Sequence, residues 1–315
     1  MPSTRQPLVP CVTGTLVAAA MWLPDAVLAK PRLGQAKFSL YYVAEVESKG
    51  AGGVPKKVRD ENGGWNVYRL SPADARVANM QGTVSILDDD GDRHLAAIVR
   101  IGEWVKVPKG WEGKGSRMNP LVPYRAVAAD PRHHPYGSRV FIPPAAGYVT
   151  PRGKTIDGWM WVADVGGGIK GAMRFDIFVG REACYWDHIA EDHGSWSSKI
   201  QIEHPPKLPA ALNPRNPAGV QKILAALGYR IDTSLPAVTE LPDDWDQDVA
   251  LGTALRDFQR QHPAIPEVEY GTRIGAITQW FLHQAGLAVS GDRPYAARPG
   301  GSELPADPPP KIDED

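Results

Sequence analysis

Cysteine is almost absent from this 315-residue chain, which contains only Cys11 and Cys184. Two cysteines are too few for a disulfide-stapled scaffold or for a zinc site made of thiolates. An excess of positive charge is also lacking, because 35 lysines and arginines are balanced by 36 aspartates and glutamates. Proteins that bind nucleic acids usually carry a basic footprint, so we expect no nucleic-acid partner.

Long apolar runs are missing beyond the N-terminal region, so no later segment is expected to span a bilayer. Residues 8–23 are mostly apolar, Arg5 precedes them, and small residues suited to cleavage lie at 27–29. This order is typical of a secretory signal peptide, so we predict a leader at 1–29. Pro24 interrupts the stretch and disfavours a membrane anchor. The mature protein is therefore expected in the periplasm, the cell wall or the extracellular space, without stable membrane insertion.

Proline and glycine are abundant, with 30 and 32 residues, which indicates many tight turns and disfavours a bundle of long helices. Between them lie short segments rich in β-formers, bounded by Gly, Pro, Asn and Asp. These predicted strands are 38–46, 94–101, 124–129, 138–142, 158–164, 173–179 and 199–203. Many short strands with little helix predict a barrel or a sandwich over residues 30–203.

The composition changes at residues 204–217, where five prolines in fourteen residues predict a semi-extended linker. Apolar residues then repeat with helical spacing, which predicts helices near 220–227, 246–261 and 272–285. We therefore predict a small all-α, three-helix domain at 218–288. The remaining residues, 289–315, are rich in Pro, Gly, Ala and acidic side chains and predict a disordered tail.

Four motifs follow one another in the β region. They are YRAVAADP at 124–131, PYGSRVFIP at 135–143, ADVGGGIKG at 163–171 and RFDIFVG at 174–180. Together they resemble the three-aspartate (3D) domain, whose namesake residues would here be Asp130, Asp164 and Asp176. Relatives with this fold include membrane-bound lytic transglycosylase A, and the resemblance implies a double-psi β-barrel.

The chain departs from the family pattern at a few positions, but it keeps every aspartate and the glycines of the turn. Val165 replaces the usual threonine, Gly168 an alanine, Tyr136 a leucine and Ala128 a valine. The fold expectation is unaffected. The missing hydroxyl at Val165 removes one group that would otherwise hydrogen-bond a ligand.

Asp176 is the strongest catalytic candidate from the residues themselves. It interrupts an apolar strand and shares a face with Phe178, while Phe175, Ile177 and Val179 lie on the other face. Desolvation beside aromatic rings should raise its pKa, as a general acid requires. The resemblance gives the same result, because the third aspartate is the catalytic acid/base of the lytic transglycosylase relatives.

Asp164 and Asp130 have an ordinary alternative, since an aspartate at a strand end often holds a turn. For Asp164, the resemblance implies a place beside the sugar, so it is also a catalytic candidate. Asp130 precedes Pro131, and we expect a structural role more than a catalytic one; it is retained as a substrate-binding candidate.

The glycine-rich turn supplies the other substrate-binding candidates. Gly166 and Gly167 leave the backbone unshielded, which would let a bulky polymer approach. Lys170 is expected either to contact a substrate carboxylate or to be a solvated turn lysine. The histidines lack metal-ligand spacing, so neither a metal nor another cofactor is expected.

The helical region resembles a three-helix peptidoglycan-binding domain. The matching segments are VQKILAALGY at 220–229, ALRDFQRQH at 254–262 and YGTRIGAITQWFL at 270–282. A packing module without a ligand remains the alternative.

The two resemblances imply an exported, monomeric lytic transglycosylase that cleaves peptidoglycan glycan strands. A glycoside hydrolase and a non-catalytic cell-wall-binding protein remain as alternatives.

Overall fold

The computed structural model describes residues 32–100, 102–150, 152–181, 195–231, 249–270 and 274–291. The leader predicted at 1–29 lies outside these residues, as do Cys184 and residues 292–315 of the predicted tail. The described part is mainly β with few helices, which confirms the predicted class.

The described elements are named in chain order. The strands are β1 (Arg32–Tyr41), β2 (Ala44–Glu47), β3 (Val54–Arg59), β4 (Trp65–Leu70), β5 (Thr83–Leu87), β6 (Arg93–Arg100), β7 (Glu103–Lys106), β8 (Ala126–Ala129), β9 (Arg139–Phe141), β10 (Trp159–Asp164), β11 (Arg174–Phe178) and β12 (Ser195–Glu203). The helices are α1 (Pro72–Gln81), α2 (Pro217–Ala226), α3 (Val249–Arg260) and α4 (Ala276–Val289).

A closed barrel is formed by strands from both ends of the predicted β region. Its order is β1-β11-β8-β10-β9-β12, and β12 closes the barrel by pairing with β1. β1 runs parallel to β11 and β8 parallel to β10, whereas the other neighbours are antiparallel. Apolar side chains from all these strands fill the inside, and the rings of Phe38 and Phe175 stack there with centroids 5.7 Å apart. The barrel is therefore a packed core and not a pore.

The strand predicted at 38–46 is divided between two sheets, which corrects the sequence analysis. β1 ends at Tyr41 in the barrel, and β2 begins at Ala44 in the other sheet. The two residues between them are held by other segments: the backbone N–H of Tyr42 donates to Gln81 Oε1 and that of Val43 to the carbonyl of Gly180. A run of β-forming residues does not show where a chain leaves one sheet for the next.

The other described sheet has the order β2-β5-β6-β7-β3-β4 and packs against α1. Among its strands, the sequence predicts β6 at 94–101 and the start of β2 within 38–46. The hairpin of β3 and β4 was missed because most of its side chains are exposed, so it shows no clear apolar alternation.

All three predicted helices are present as α2, α3 and α4. α2 begins earlier than its apolar pattern, because Asn216 caps it by accepting from the N–H of Gly219 at 2.6 Å. The helices share one hydrophobic cluster with the outer face of the barrel. At this junction the Arg139 guanidinium lies 4.2 Å from the ring of Trp159 in β10 and 4.8 Å from that of Trp280 in α4.

No helix among the described residues is both long enough and apolar enough to cross a bilayer.

Candidate functional site

Asp164 and Asp176 lie on the same outer face of the barrel, on either side of β8. The Cα partner of each in the strand pairing is Ala128. Paired residues of neighbouring strands point to the same face, so both carboxyl groups are on the side of Ala128. Two strand spacings put their Cα atoms about 10 Å apart. Ala128 stands where the family has valine, so only a methyl group lies between the two acidic positions.

The alternation predicted for β11 is confirmed. Phe178 belongs to the hydrophobic cluster on the outer face, whereas Phe175, Ile177 and Val179 belong to the cluster inside the barrel. Asp176 is half-buried between its neighbours on the outer face.

Asp176 is held by a short relay from β1 and β11. Ser39, its Cα partner in β1, donates its hydroxyl to Asp176 Oδ1 at 2.7 Å. Arg174 Nη2 in turn donates to Ser39 Oγ at 2.8 Å. Burial raises the pKa of Asp176, and the Ser39 hydrogen bond and the Arg174 charge oppose that rise. The carboxyl is thus biased towards protonation yet remains able to ionise.

Asp164 accepts hydrogen bonds from neutral groups. Its Oδ1 accepts from the backbone N–H groups of Val165 at 2.8 Å and Ser116 at 2.9 Å. Its Oδ2 accepts from the Tyr41 hydroxyl at 3.2 Å. Burial raises the pKa of Asp164 to about 6, although these hydrogen bonds and the charge of Lys114 favour the ionised form. A carboxyl with this pKa exchanges protons readily near neutral pH.

Tyr41 hydrogen-bonds Asp164 and is also affected by the charge of Asp176. It is buried, and its ring packs on Phe178 with centroids 5.2 Å apart. Burial raises the pKa of Tyr41 well above its usual value, and the charges of Asp164 and then Asp176 raise it further. Tyr41 therefore stays protonated across the neutral range, where it donates its hydrogen bond to Asp164.

Sequence reasoning assigned no role to Ser39 or Tyr41. A signal was present, because the two residues are separated by one position in a predicted strand and so lie on one face. Nothing in the sequence showed that this face would meet Asp164 and Asp176.

Asp130 is placed in a different environment. It is buried, and Arg132 reaches it with its backbone N–H at 3.1 Å, Nε at 3.0 Å and Nη2 at 2.6 Å. The N–H of Gly171 donates to Asp130 Oδ2 at 3.0 Å. The Arg132 hydrogen bonds hold the pKa of this carboxyl well below its usual range. Asp130 thus joins the turn after β8 to the end of the glycine-rich turn, and it makes no hydrogen bond to Asp164 or Asp176.

The glycine-rich turn follows directly after Asp164. A Cβ at Gly166 would lie 2.4 Å from Cγ1 of Ile169, so a side chain there would displace a buried neighbour. Gly167 is exposed, and a Cβ there would meet nothing within 4 Å. Lys170 is exposed, and it forms no hydrogen bond or ion pair with the part of the chain that the structure describes.

The described residues contain no group of three or more His, Cys, Asp or Glu side chains that could hold a metal ion.

A family comparison matches the site segment. The model of the 3D domain matches residues 125–195, which contain Asp130, Asp164 and Asp176. This match confirms the resemblance to the 3D domain within those residues. A search of curated proteins finds no match.

Several solved structures resemble the chain weakly. The membrane-bound lytic murein transglycosylase of Agrobacterium tumefaciens is 14% identical, with 54% of this chain and 74% of that chain covered and a TM-score of 0.39. MltA of E. coli with bound chitohexaose is 16% identical over 55% and 73%, with a TM-score of 0.38. MltA of Neisseria gonorrhoeae is 13% identical over 55% and 74%, with a TM-score of 0.37. At such TM-scores these likenesses carry no argument about this chain.

Proposed function

We propose that this protein is a lytic transglycosylase that cleaves the β-1,4 bond between MurNAc and GlcNAc in peptidoglycan. One observation carries the proposal: two half-buried aspartates with raised pKa values share one face of the barrel, within the segment that matches the 3D domain. A glycosidic bond needs a proton donor at its leaving oxygen, and a carboxyl with a raised pKa supplies one near neutrality.

Asp176 is proposed as the general acid and then the general base. As the acid, it protonates the glycosidic oxygen, the C1–O bond breaks, and GlcNAc leaves as an alcohol. The carboxylate then accepts the proton of the MurNAc C6 hydroxyl, whose oxygen bonds to C1. The product is a 1,6-anhydroMurNAc end, no water is consumed, and Asp176 is protonated again. No cofactor takes part.

Asp164 is proposed to hydrogen-bond the sugar or to stabilise positive charge at C1. Its ionised form suits this second role, and the Val165 and Ser116 N–H groups favour that form. Gly167 would let the glycan approach the backbone near Asp164, and Gly166 would help to shape that surface, because Ile169 packs against it. Lys170 is proposed to contact the substrate at the far end of the same turn, and Asp130 is proposed to hold that end in place through the N–H of Gly171.

The wider architecture is part of the proposal. The closed barrel is proposed to have double-psi topology. The helices α2–α4 are proposed to bind the polymer as a peptidoglycan-binding domain, which would raise the local concentration of glycan. Gln259 supports the fold of this segment, because it is buried and donates to the carbonyl of Glu269 at 2.6 Å. The predicted leader would export the protein.

A glycoside hydrolase is the second candidate, and the strand between the two aspartates favours it. Inverting hydrolases hold their carboxyls about 6.5–9.5 Å apart, which leaves room for a water molecule. In that reading Asp164 is the base that activates water, and the product carries a reducing end.

The test is a digest of purified peptidoglycan with the protein lacking residues 1–29, with products identified by mass spectrometry. Asp176→Asn and Asp164→Asn are compared with Asp89→Asn, a matched control because Asp89 is an exposed turn residue of the other sheet. Anhydro-ended products from the wild type and the control, absent with Asp176→Asn, support the proposal. Reducing ends would establish the hydrolase. No products, with the protein still sedimenting with peptidoglycan, would leave a wall-binding protein.

A further inference from the structure

An arginine lies at the edge of the proposed site, on a loop whose shape is tightly determined. The N–H of Ser116 donates to Asp164 Oδ1 at 2.9 Å, and Arg117 is the next residue. Asn119 is buried and donates to the carbonyl of Ala163 at 3.1 Å, which ties the loop to the end of β10. Met118 has φ of 58°, a left-handed conformation that is uncommon for a residue other than glycine. Such backbone strain is often found beside binding sites.

The guanidinium of Arg117 lies over an aromatic ring and is not paired with a carboxylate of the described residues. Its Cζ is 4.8 Å from the ring centroid of Tyr136, the residue that replaces the family's leucine. Tyr136 is buried, and its hydroxyl has no hydrogen-bond partner in the described chain. The ring thus packs against one side of the Arg117 guanidinium and leaves the N–H groups of that guanidinium able to bind a ligand.

A second arginine lies on the helical segment that the Tyr136 turn meets. The turn that contains Tyr136 meets α4, because a Cβ at Gly137 would lie 3.5 Å from the carbonyl oxygen of Ala276. Arg215 lies just before α2, which packs against α4. Burial and then the charge of Arg215 lower the pKa of Arg117, which agrees with the packing of these segments against α4.

Neither Arg117 nor Arg215 forms an ion pair with the described residues, although both are exposed. Four other arginines of the barrel and its turns are each paired with a carboxylate. These pairs are Arg125 with Asp157, Arg132 with Asp130, Arg139 with Glu203 and Arg152 with Glu112. Two unpaired guanidinium groups held near each other repel, and an anion bound between them removes that repulsion.

We propose that Arg117 and Arg215 form a subsite for a carboxylate of the glycan substrate, beside Asp164. The inference rests on the proposed function and specifies its substrate chemistry. MurNAc carries a lactyl carboxylate when its peptide has been removed, and the stem peptide carries carboxylates when it is present. Guanidinium groups bind either one through paired N–H···O hydrogen bonds.

The experiment measures binding by calorimetry in the Asp176→Asn protein, so that ligands are not cleaved. The ligands are the tetrasaccharide of two GlcNAc-MurNAc units, the same compound with stem peptides, and chitotetraose, which is neutral. Arg117→Gln and Arg215→Gln are compared with Arg76→Gln, in which an exposed arginine of α1 is changed. Tyr136→Leu tests the aromatic support, and thermal melting checks that each variant folds.

We expect each site variant to weaken binding of a carboxylated ligand about fivefold, with chitotetraose and the Arg76→Gln control unchanged. High salt should remove the difference between ligands. Loss with the peptide-free ligand identifies the lactyl group, and loss only with the peptide-bearing ligand identifies the stem peptide. If the Asp176→Asn protein with both arginines intact bound neutral and carboxylated ligands equally well, the inference would be overturned. Equal losses for both kinds of ligand would overturn it as well.

The binding readout separates this inference from the proposed function. Charge-selective binding that depends on Arg117 and Arg215, in a protein that yields no digest products, would support the subsite and refute the enzyme. Anhydro products with no charge selectivity would support the enzyme and refute the subsite.

Discussion

The aspartate in the turn after β8 and the two aspartates on the outer face of the barrel have pKa values shifted in opposite directions. The pKa of Asp130 is lowered, whereas those of Asp164 and Asp176 are raised. The Arg132 guanidinium donates to both carboxylate oxygens of Asp130, and the pKa of that carboxyl falls well below its usual range. Asp164 and Asp176 are bound by backbone N–H groups and hydroxyls, and burial raises their pKa values. A carboxyl that stays ionised is suited to holding a turn, and one with a raised pKa is suited to moving a proton. The pKa values differ because Asp164 and Asp176 accept hydrogen bonds from neutral donors, whereas Asp130 accepts from the guanidinium of Arg132.

The largest expected effect is at Asp176. Replacement by Asn removes the proposed acid while keeping the side chain's shape, so turnover of peptidoglycan should fall by about 10²–10⁴-fold. The rate of release of muropeptides measures it. The circular-dichroism melting curve should stay close to that of the wild type. A variant that keeps more than a tenth of the activity would remove Asp176 from the mechanism.

Asp130→Asn should instead act on stability. It breaks the charge-assisted contacts with Arg132, so the melting temperature at pH 7 should fall by several degrees. Because the folded-state pKa of Asp130 is lowered, its contribution is present above the unfolded pKa of about 4 and is lost as the pH falls further. The difference between wild type and variant should therefore shrink in acid. An unchanged melting temperature at pH 7 would contradict the structural role.

Asp164→Asn should shift stability in the opposite direction. The folded-state pKa of about 6 lies above the unfolded value, so ionised Asp164 destabilises the fold above pH 6. The variant should be more stable at pH 7.5, by about 1 kcal/mol after allowance for solvent around this half-buried group. The gain should disappear near pH 4. Denaturant titrations at both pH values measure it, and destabilisation at pH 7.5 would contradict this account.

Ser39→Ala tests how Asp176 is tuned. Removing a donor to the carboxylate raises the pKa of Asp176, so the acid should stay protonated to higher pH. We expect the basic limb of the pH profile of kcat/KM to move up by about half a unit to one unit. Ser197→Ala is the control, because Ser197 is an exposed serine of β12. A lower rate with an unmoved profile would mean that Ser39 only positions Asp176.

Tyr41→Phe has the smallest expected effect. It removes one hydrogen bond to Asp164, at 3.2 Å, and leaves the ring packed on Phe178. Activity should fall by roughly threefold to tenfold, in line with one hydrogen bond of about 1 kcal/mol. Initial rates on peptidoglycan measure it. A loss as large as that of Asp176→Asn would make Tyr41 a catalytic residue.

The prediction succeeded where local chemistry was sufficient. The strand around Asp176 and its alternation follow from a period of two, and the presence of the three helices follows from apolar spacing. It missed the hairpin of β3 and β4, whose exposed side chains give no periodic signal. It also missed the transfer of the chain between sheets after Tyr41, which depends on contacts with Gln81 and Gly180.

Glu269 shows why the environment of a charged residue could not be read in advance. In the sequence Glu269 lies two residues after Glu267, so it resembles a solvated surface group. In the fold it is buried and caps α4, accepting from Thr278 N at 2.8 Å and from Thr278 Oγ1 at 2.7 Å. Burial raises the pKa of Glu269 to about 7.

The sequence by itself determined the local pieces of this protein: the strands around the aspartates, the glycine-rich turn after Asp164 and the apolar faces of the helices. These features depend on residues only a few positions apart. The tertiary structure decided the chemistry of the carboxyls. Ser39 lies 137 residues from Asp176 in the chain, and Tyr41 lies 123 residues from Asp164. A pKa depends on burial and on near charges and donors, and only closure of the barrel brings those groups together.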